Sequence, residues 1–236
     1  MRIAFFGGSF DPPHIGHLGI ARAAQRALHL DTVLFAPVAR QPLKPAGPAA
    51  SFEDRVAMTR IAIAHEPHFE LSLIDAPVSG DDAPNYTAET LVRLHQSSPR
   101  GAELYLLLGS DSFAALSKWH RASEIPFLAN LIVASRPVDD STPNPSLAGA
   151  TPALDAETIA ASLPSGITAH SHPSNPSHYT LISATGEEAS LTLLPDLHYD
   201  ISATQLRHAL QSHTPEAAES FPAAVLAYIR SHHLYA

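Results

Sequence analysis

Short, nearly continuous apolar runs recur at RIAFF (2–6), TVLFAPV (32–38), FELSLID (69–75), ELYLLLG (103–109) and NLIVAS (130–135). Runs of this length, bounded by turn residues, are too brief for ordinary helices and pack as strands covered on both faces. Amphipathic segments lie between them. Residues 14–30 place Leu18, Ala21, Ala24, Ala27 and Leu28 on one side and Arg22, Gln25, Arg26 and His29 on the other. Ser51 followed by Asp54 opens a capped helix over 51–65. Further helices are predicted at 86–96 and 111–125, a last strand at 191–195, and closing helices at 202–212 and 221–235. Buried strands alternating with helices predict an open, doubly wound α/β parallel sheet with helices on both faces. We expect a single domain over 1–236 with a C-terminal helical segment.

About residues 137–180 break this rhythm. The stretch is rich in Pro, Ser, Thr, Ala and His, offers little apolar surface, and reads as a mobile excursion with a short helix at 155–163. His170, His172 and His178 within it read as solvated.

The chain has 236 residues, no cysteine and a formal net charge of -9. Thiolate metal sites and disulfides are therefore excluded. A broad nucleic-acid surface is disfavoured, because such surfaces neutralise many phosphates with Lys and Arg. The first apolar run is too short for a signal peptide, and no stretch reaches the roughly 20 apolar residues of a membrane span. A cytoplasmic protein without membrane or nucleic-acid partners is expected. A small anionic ligand would have to be met locally, by backbone N–H groups, helix N-termini and a few cations.

The segment GGSFDPPHIGH (7–17) occupies the first strand-to-helix turn, a preferred ligand position in such sheets. Gly7 and Gly8 allow close approach to a phosphate. His14 and His17, three residues apart in the first helical turn, share one face near the positive end of the dipole, where a bound anion favours their charged form. Alone, a glycine pair is as often a purely structural turn, and two such histidines are more often solvated. Zinc, with Asp11 as a third ligand, lacks a nearby fourth.

These residues resemble the signature of the nucleotidyltransferase branch that shares an H-I-G-H element with class I aminoacyl-tRNA synthetases. DISATQLRHAL (200–210) resembles that branch's second motif, I-S-x-T-x-x-R. NYTAETL (85–91), GSDSFAALSKWH (109–120), LIVASRP (131–137) and VLAYIRSHHLY (225–235) are similar to bacterial nicotinate-nucleotide adenylyltransferases. The resemblance implies a Rossmann-like fold and adenylyl transfer from ATP to nicotinate mononucleotide, yielding deamido-NAD and pyrophosphate. It implies Mg²⁺ held mainly by the ATP phosphates, with no protein metal site. His14, His17, Lys44 and Arg207 would act on the reacting phosphates. Gly7, Gly8, Ser9, Phe10, Gly109, Asp111, Ser202 and Thr204 would line the ATP site. Tyr86, Thr87, Trp119, His120 and Arg136 would hold the nicotinate nucleotide. Read without the family, Asp111 is an ordinary N-cap, Trp119 a core residue and Lys44 a solvated loop lysine. The loop also reads QPLK where the family more often has P-P-H-K, and His120 stands where many relatives have Tyr. Acceptors such as phosphopantetheine or a polyol phosphate, and a non-catalytic nucleotide-sensing module, are the competing readings.

Overall fold

The computed structural model describes residues 1–43, 47–78, 83–134, 154–194, 203–212 and 219–235. Its eight strands are β1 (Arg2–Gly8), β2 (Thr32–Pro37), β3 (Phe69–Leu71), β4 (Glu103–Gly109), β5 (Asn130–Ala134), β6 (Ile167–His172), β7 (Asn175–Ser183) and β8 (Glu188–Leu194). They form one sheet in the order β3-β2-β1-β4-β5-β8-β7-β6. From β3 to β8 all pairings are parallel, while β7 and β6 join antiparallel at the edge. The chain thus forms the expected Rossmann-like sheet. Its order reverses between β1 and β4, the switch point where such sheets open a crevice beyond their strand ends.

The period of two along each strand feeds two cores. From β1, Ala4 and Phe6 enter one cluster, with Leu18 and Ala21 of α1 (Ile15–Leu28), Met58 of α2 (Phe52–Ile63), Leu206 of α7 (Ala203–Gln211) and Val225 of α8 (Ala223–Ser231). Ile3 and Phe5 enter the other, with Leu91 of α3 (Thr87–Ser97), Phe113 of α4 (Ser110–Ala114), Ile125 of α5 (Ile125–Leu128) and Ile159 of α6 (Ala156–Ser162). Each fully buried Phe or Leu contributes about 1.5–3 kcal/mol relative to exposure. Among the described residues no helix is long and apolar enough to cross a membrane.

Four expectations need correction. The expected short helix at 155–163 is present as α6, but the residues after it form strands rather than an irregular excursion. Asp155 caps α6 by accepting from Thr158 N–H at 2.8 Å, and β6 and β7 extend the sheet, carrying His170, His172 and His178 on strands. Their weak signal follows from the edge position: of β7 only Tyr179 and Leu181 are buried, and β6 has no buried residue. The expected helix over 111–125 is broken into α4, a 3₁₀ turn (Leu116–Lys118) and α5. Trp119 is extended, Arg121 takes a left-handed φ of 52°, and Pro126, which has no N–H to donate, sits at the restart. The strand expected over 69–75 ends at Leu71: Ser72 N–H still donates to Phe35 O at 2.8 Å, and the chain then turns, with Ala76 N–H on Leu73 O. In α1, Ala27 is exposed and Leu28 only half-buried.

Candidate active site

The turn after β1 is held from beneath. Arg55, 1% exposed on α2, donates through Nη1 to Ser9 O at 2.7 Å and Val38 O at 2.9 Å. Val38 N–H donates to Gly8 O at 2.9 Å. Burial pulls the Arg55 pKa down from the usual arginine range, and the Asp11 charge opposes that shift. A Cβ on Gly7 would stand 2.8 Å from Phe5 Cε1, so the turn admits no side chain there without displacing the strand's own phenylalanine. The Phe10 side chain is buried in the first core, 1% exposed, and its ring packs edge-on against His17 with centroids 5.1 Å apart. Only its backbone is left for phosphate.

His14 precedes α1, and its backbone N–H donates to His17 Nδ1 at 3.2 Å. The two rings lie 3.7 Å apart, centroid to centroid. Because His17 Nδ1 accepts a hydrogen bond, the neutral ring carries its proton on Nε2, ready to donate to an anion. His14 is buried and His17 half-buried.

Arg207, on α7, reaches this turn from far along the chain. Its Nη1 donates to Asp11 O at 2.8 Å and lies 3.7 Å from Asp11 Oδ2, while Nη2 donates to Thr204 Oγ1 at 3.2 Å. The Asp11 carboxylate is itself the meeting point of three more donors. Ala49 N–H donates to Oδ2 at 2.6 Å, and Ala50 N–H (3.0 Å) and the Tyr235 hydroxyl (2.7 Å) donate to Oδ1. That arrangement replaces the metal-ligand reading of Asp11: its oxygens are occupied by N–H and O–H donors.

Beyond β4, Gly109 has φ -76° and ψ 157°, and a Cβ there would meet nothing within 4 Å. The fold does not require glycine at this point; open space faces it. Gly109, not Asp111, caps α4, and Asp111 lies exposed in its first turn. Tyr86 precedes α3, of which Thr87 is the first residue. The Tyr86 and His120 rings lie 4.4 Å apart, and His120 Nε2 sits 3.1 Å from Glu89 Oε1. Trp119 is half-buried against the second core cluster, so it serves that core whatever else it touches. Asp75, 3% exposed, anchors α3 by accepting from the Thr90 hydroxyl at 2.6 Å and Arg93 Nη2 at 3.1 Å. Lys44, Arg136 and Ser202 lie outside the described residues.

Sequence reasoning missed Arg55, Asp75, Tyr235 and the structural role of Asp11. Arg55 had left a trace, for it heads the buried stripe 55, 58, 59, 62, 63 of α2, where a cation must find partners. Tyr235 left none.

The family model described as cytidylyltransferase-like matches residues 5–209. A nicotinate-nucleotide adenylyltransferase of Roseiflexus sp. (strain RS-1) is 38% identical over 99% of this chain and 97% of its own. One from Gloeobacter violaceus is 33% identical over 99% and 96%. A relative from Trichlorobacter lovleyi is 46% identical over 137 residues, a match covering 58% of this chain and 62% of its own. The fold is shared with Plasmodium falciparum nicotinic acid mononucleotide adenylyltransferase complexed with NaAD, at TM-score 0.68, 17% identity, and coverage of 99% of this chain and 97% of that one. By its full-length relatives and its matched family model, the chain belongs to the nicotinate-nucleotide adenylyltransferases of the cytidylyltransferase-like family.

Proposed function

We propose that the chain joins ATP to nicotinate mononucleotide, giving deamido-NAD and pyrophosphate. The observation that carries this reading is the Arg207 guanidinium donating to the Asp11 carbonyl: residues 196 positions apart form one cationic, N–H-lined end of the sheet. In the reaction, a 5′-phosphate oxygen of the mononucleotide bonds to the α-phosphorus of ATP in line with the departing oxygen, and the bond to the β-phosphate breaks. The nucleophile is already anionic, so no general base is needed. The protein's task is to position charge. His17 Nε2–H and His14, with the amides of the Gly7–Ser9 turn, hold the α-phosphate as negative charge grows on it. Arg207 and Thr204, with Ser202 of the same motif, hold the leaving pyrophosphate.

The donor set consists of imidazoles, a guanidinium and amides, which complement phosphate oxygens, and Asp11 is already engaged. A Mg²⁺ ion carried mainly by the ATP phosphates fits these residues and, when bound, supplies neutralisation of the leaving group. On the acceptor side, the N–H groups at the start of α3, beside Tyr86 and Thr87, suit the nicotinate carboxylate, and the Trp119 and His120 rings suit a planar heterocycle. Lys44 and Arg136 are assigned to the triphosphate and the nicotinate nucleotide, respectively, through the family motifs alone.

The test is pyrophosphate release with ATP and a panel of acceptors: nicotinate mononucleotide, nicotinamide mononucleotide, phosphopantetheine and a polyol phosphate. Nicotinate mononucleotide should give the highest kcat/KM. A higher value with phosphopantetheine or the polyol phosphate would overturn the reading, and ATP binding with no release for any acceptor would point to a sensing module.

A further inference from the structure

We infer that Tyr235 is a positioning residue for the triphosphate end of the site, acting through the Asp11 carboxylate. This rests on the adenylyltransferase reading for its substrate but not for its geometry.

Asp11 joins four separate stretches of chain. It belongs to the turn after β1 and accepts from Ala49 and Ala50, which lead into α2. It touches Arg207 of α7 through its carbonyl and, more distantly, its carboxylate. It also accepts from Tyr235, beyond α8. The 38–50 loop, which carries Lys44, is therefore tied to the phosphate turn at both stems. Val38 is held by Gly8 O and by Arg55, and Ala49 and Ala50 are held by Asp11. A carboxylate can satisfy this many donors only if they arrive from fixed directions.

Tyr235 supplies one of them at some backbone cost. His233 and Tyr235 adopt left-handed φ values of 50° and 60°, which side-chain-bearing residues rarely take. Leu234 N–H turns back to Ile229 O at 3.0 Å, folding the segment after α8 toward the turn. Burial and the Asp11 carboxylate both push the Tyr235 hydroxyl well above the ordinary tyrosine range, so it stays a proton donor at all physiological pH. Without that donor, Asp11 Oδ1 keeps a single amide partner. The Ala49 and Ala50 N–H groups still hold the carboxylate, but more of its negative charge is left for the Arg207 guanidinium, which now lies 3.7 Å from Oδ2. A tighter pair would draw the cation away from phosphate.

The experiment compares the wild type with Tyr235→Phe, which removes one oxygen, and with Asp11→Asn and the double variant. Steady-state rates with both substrates are read alongside calorimetric titration of an ATP analogue with a non-cleavable α,β-bridge, and thermal melting. Tyr235→Phe should weaken analogue binding and raise the KM for ATP by roughly five- to twentyfold. The KM for nicotinate mononucleotide should not change. The double variant should be no worse than Asp11→Asn alone, because Tyr235 acts through Asp11. Wild-type affinity for the analogue in Tyr235→Phe would overturn the inference, as would equal losses for both substrates or fully additive effects. If the acceptor proves to be another phosphate, the functional reading falls, while the analogue titration still decides the role of Tyr235.

Discussion

His17 shows how one backbone contact sets the chemistry of a side chain. The His14 N–H fills its Nδ1, so Nε2 is the donor, and the edge of Phe10 steadies the ring. His17→Ala should lower turnover by about 100-fold or more while leaving the fold intact by circular dichroism; near-normal turnover in a stopped pyrophosphate assay would remove it from the mechanism. Gly109 offers a complementary test. An alanine there meets no protein atom and keeps an ordinary φ, so stability should hold within about 0.5 kcal/mol. If nucleotide fills the open space, the KM for ATP should rise roughly five- to tenfold. The histidines and Arg207 were legible in the sequence because their spacing is local or belongs to a motif. Arg55, Asp11 and Tyr235 were not, because each acts on carbonyls, amides or oxygens contributed by remote stretches of chain.

Among the elements, α3 is anchored through a buried carboxyl. Asp75 accepts from Thr90 and Arg93. Burial is the dominant influence and raises its pKa, with Thr90 and Arg93 pulling it back. A carboxyl whose pKa is raised in the folded state contributes stability that is fully present below the ordinary carboxylate value. That contribution is lost as pH climbs through the raised value. Asp75→Asn has no such loss. Its melting temperature relative to the wild type should therefore increase between about pH 3.5 and 7. A difference that shrinks over this range would mean that the Arg93 ion pair outweighs burial. The parallel strands were readable because β1, β2, β4 and β5 are buried on both faces and leave unbroken apolar runs. β6 is the edge strand beyond β7, and of ITAHSH only Ile167 and Ala169 pack, partly buried, against the second core, so the segment carries no unbroken apolar run. The break after α4 was hidden because Leu116, Ala122 and Ile125 are all buried, and spacing alone did not reveal the left-handed Arg121 between them.

At the scale of the molecule, the sheet serves as a frame on which loops after β1, β2 and β4 gather at the strand ends, around the reversal of strand order. The -9 net charge would repel a triphosphate on average, so attraction depends on a small cationic locus rather than a field spread over the surface. That locus is closed by contacts spanning 196 and 224 residues, from Asp11 to Arg207 and to Tyr235. Such closures carry a large loop entropy and depend on an assembled frame. When denatured protein is diluted into buffer, far-ultraviolet ellipticity should return first and catalytic competence later. If the two recover with one rate constant, the nucleotide-holding end forms together with the sheet. A lag between them would mean that a chain can regain its architecture while still unable to grip its substrate.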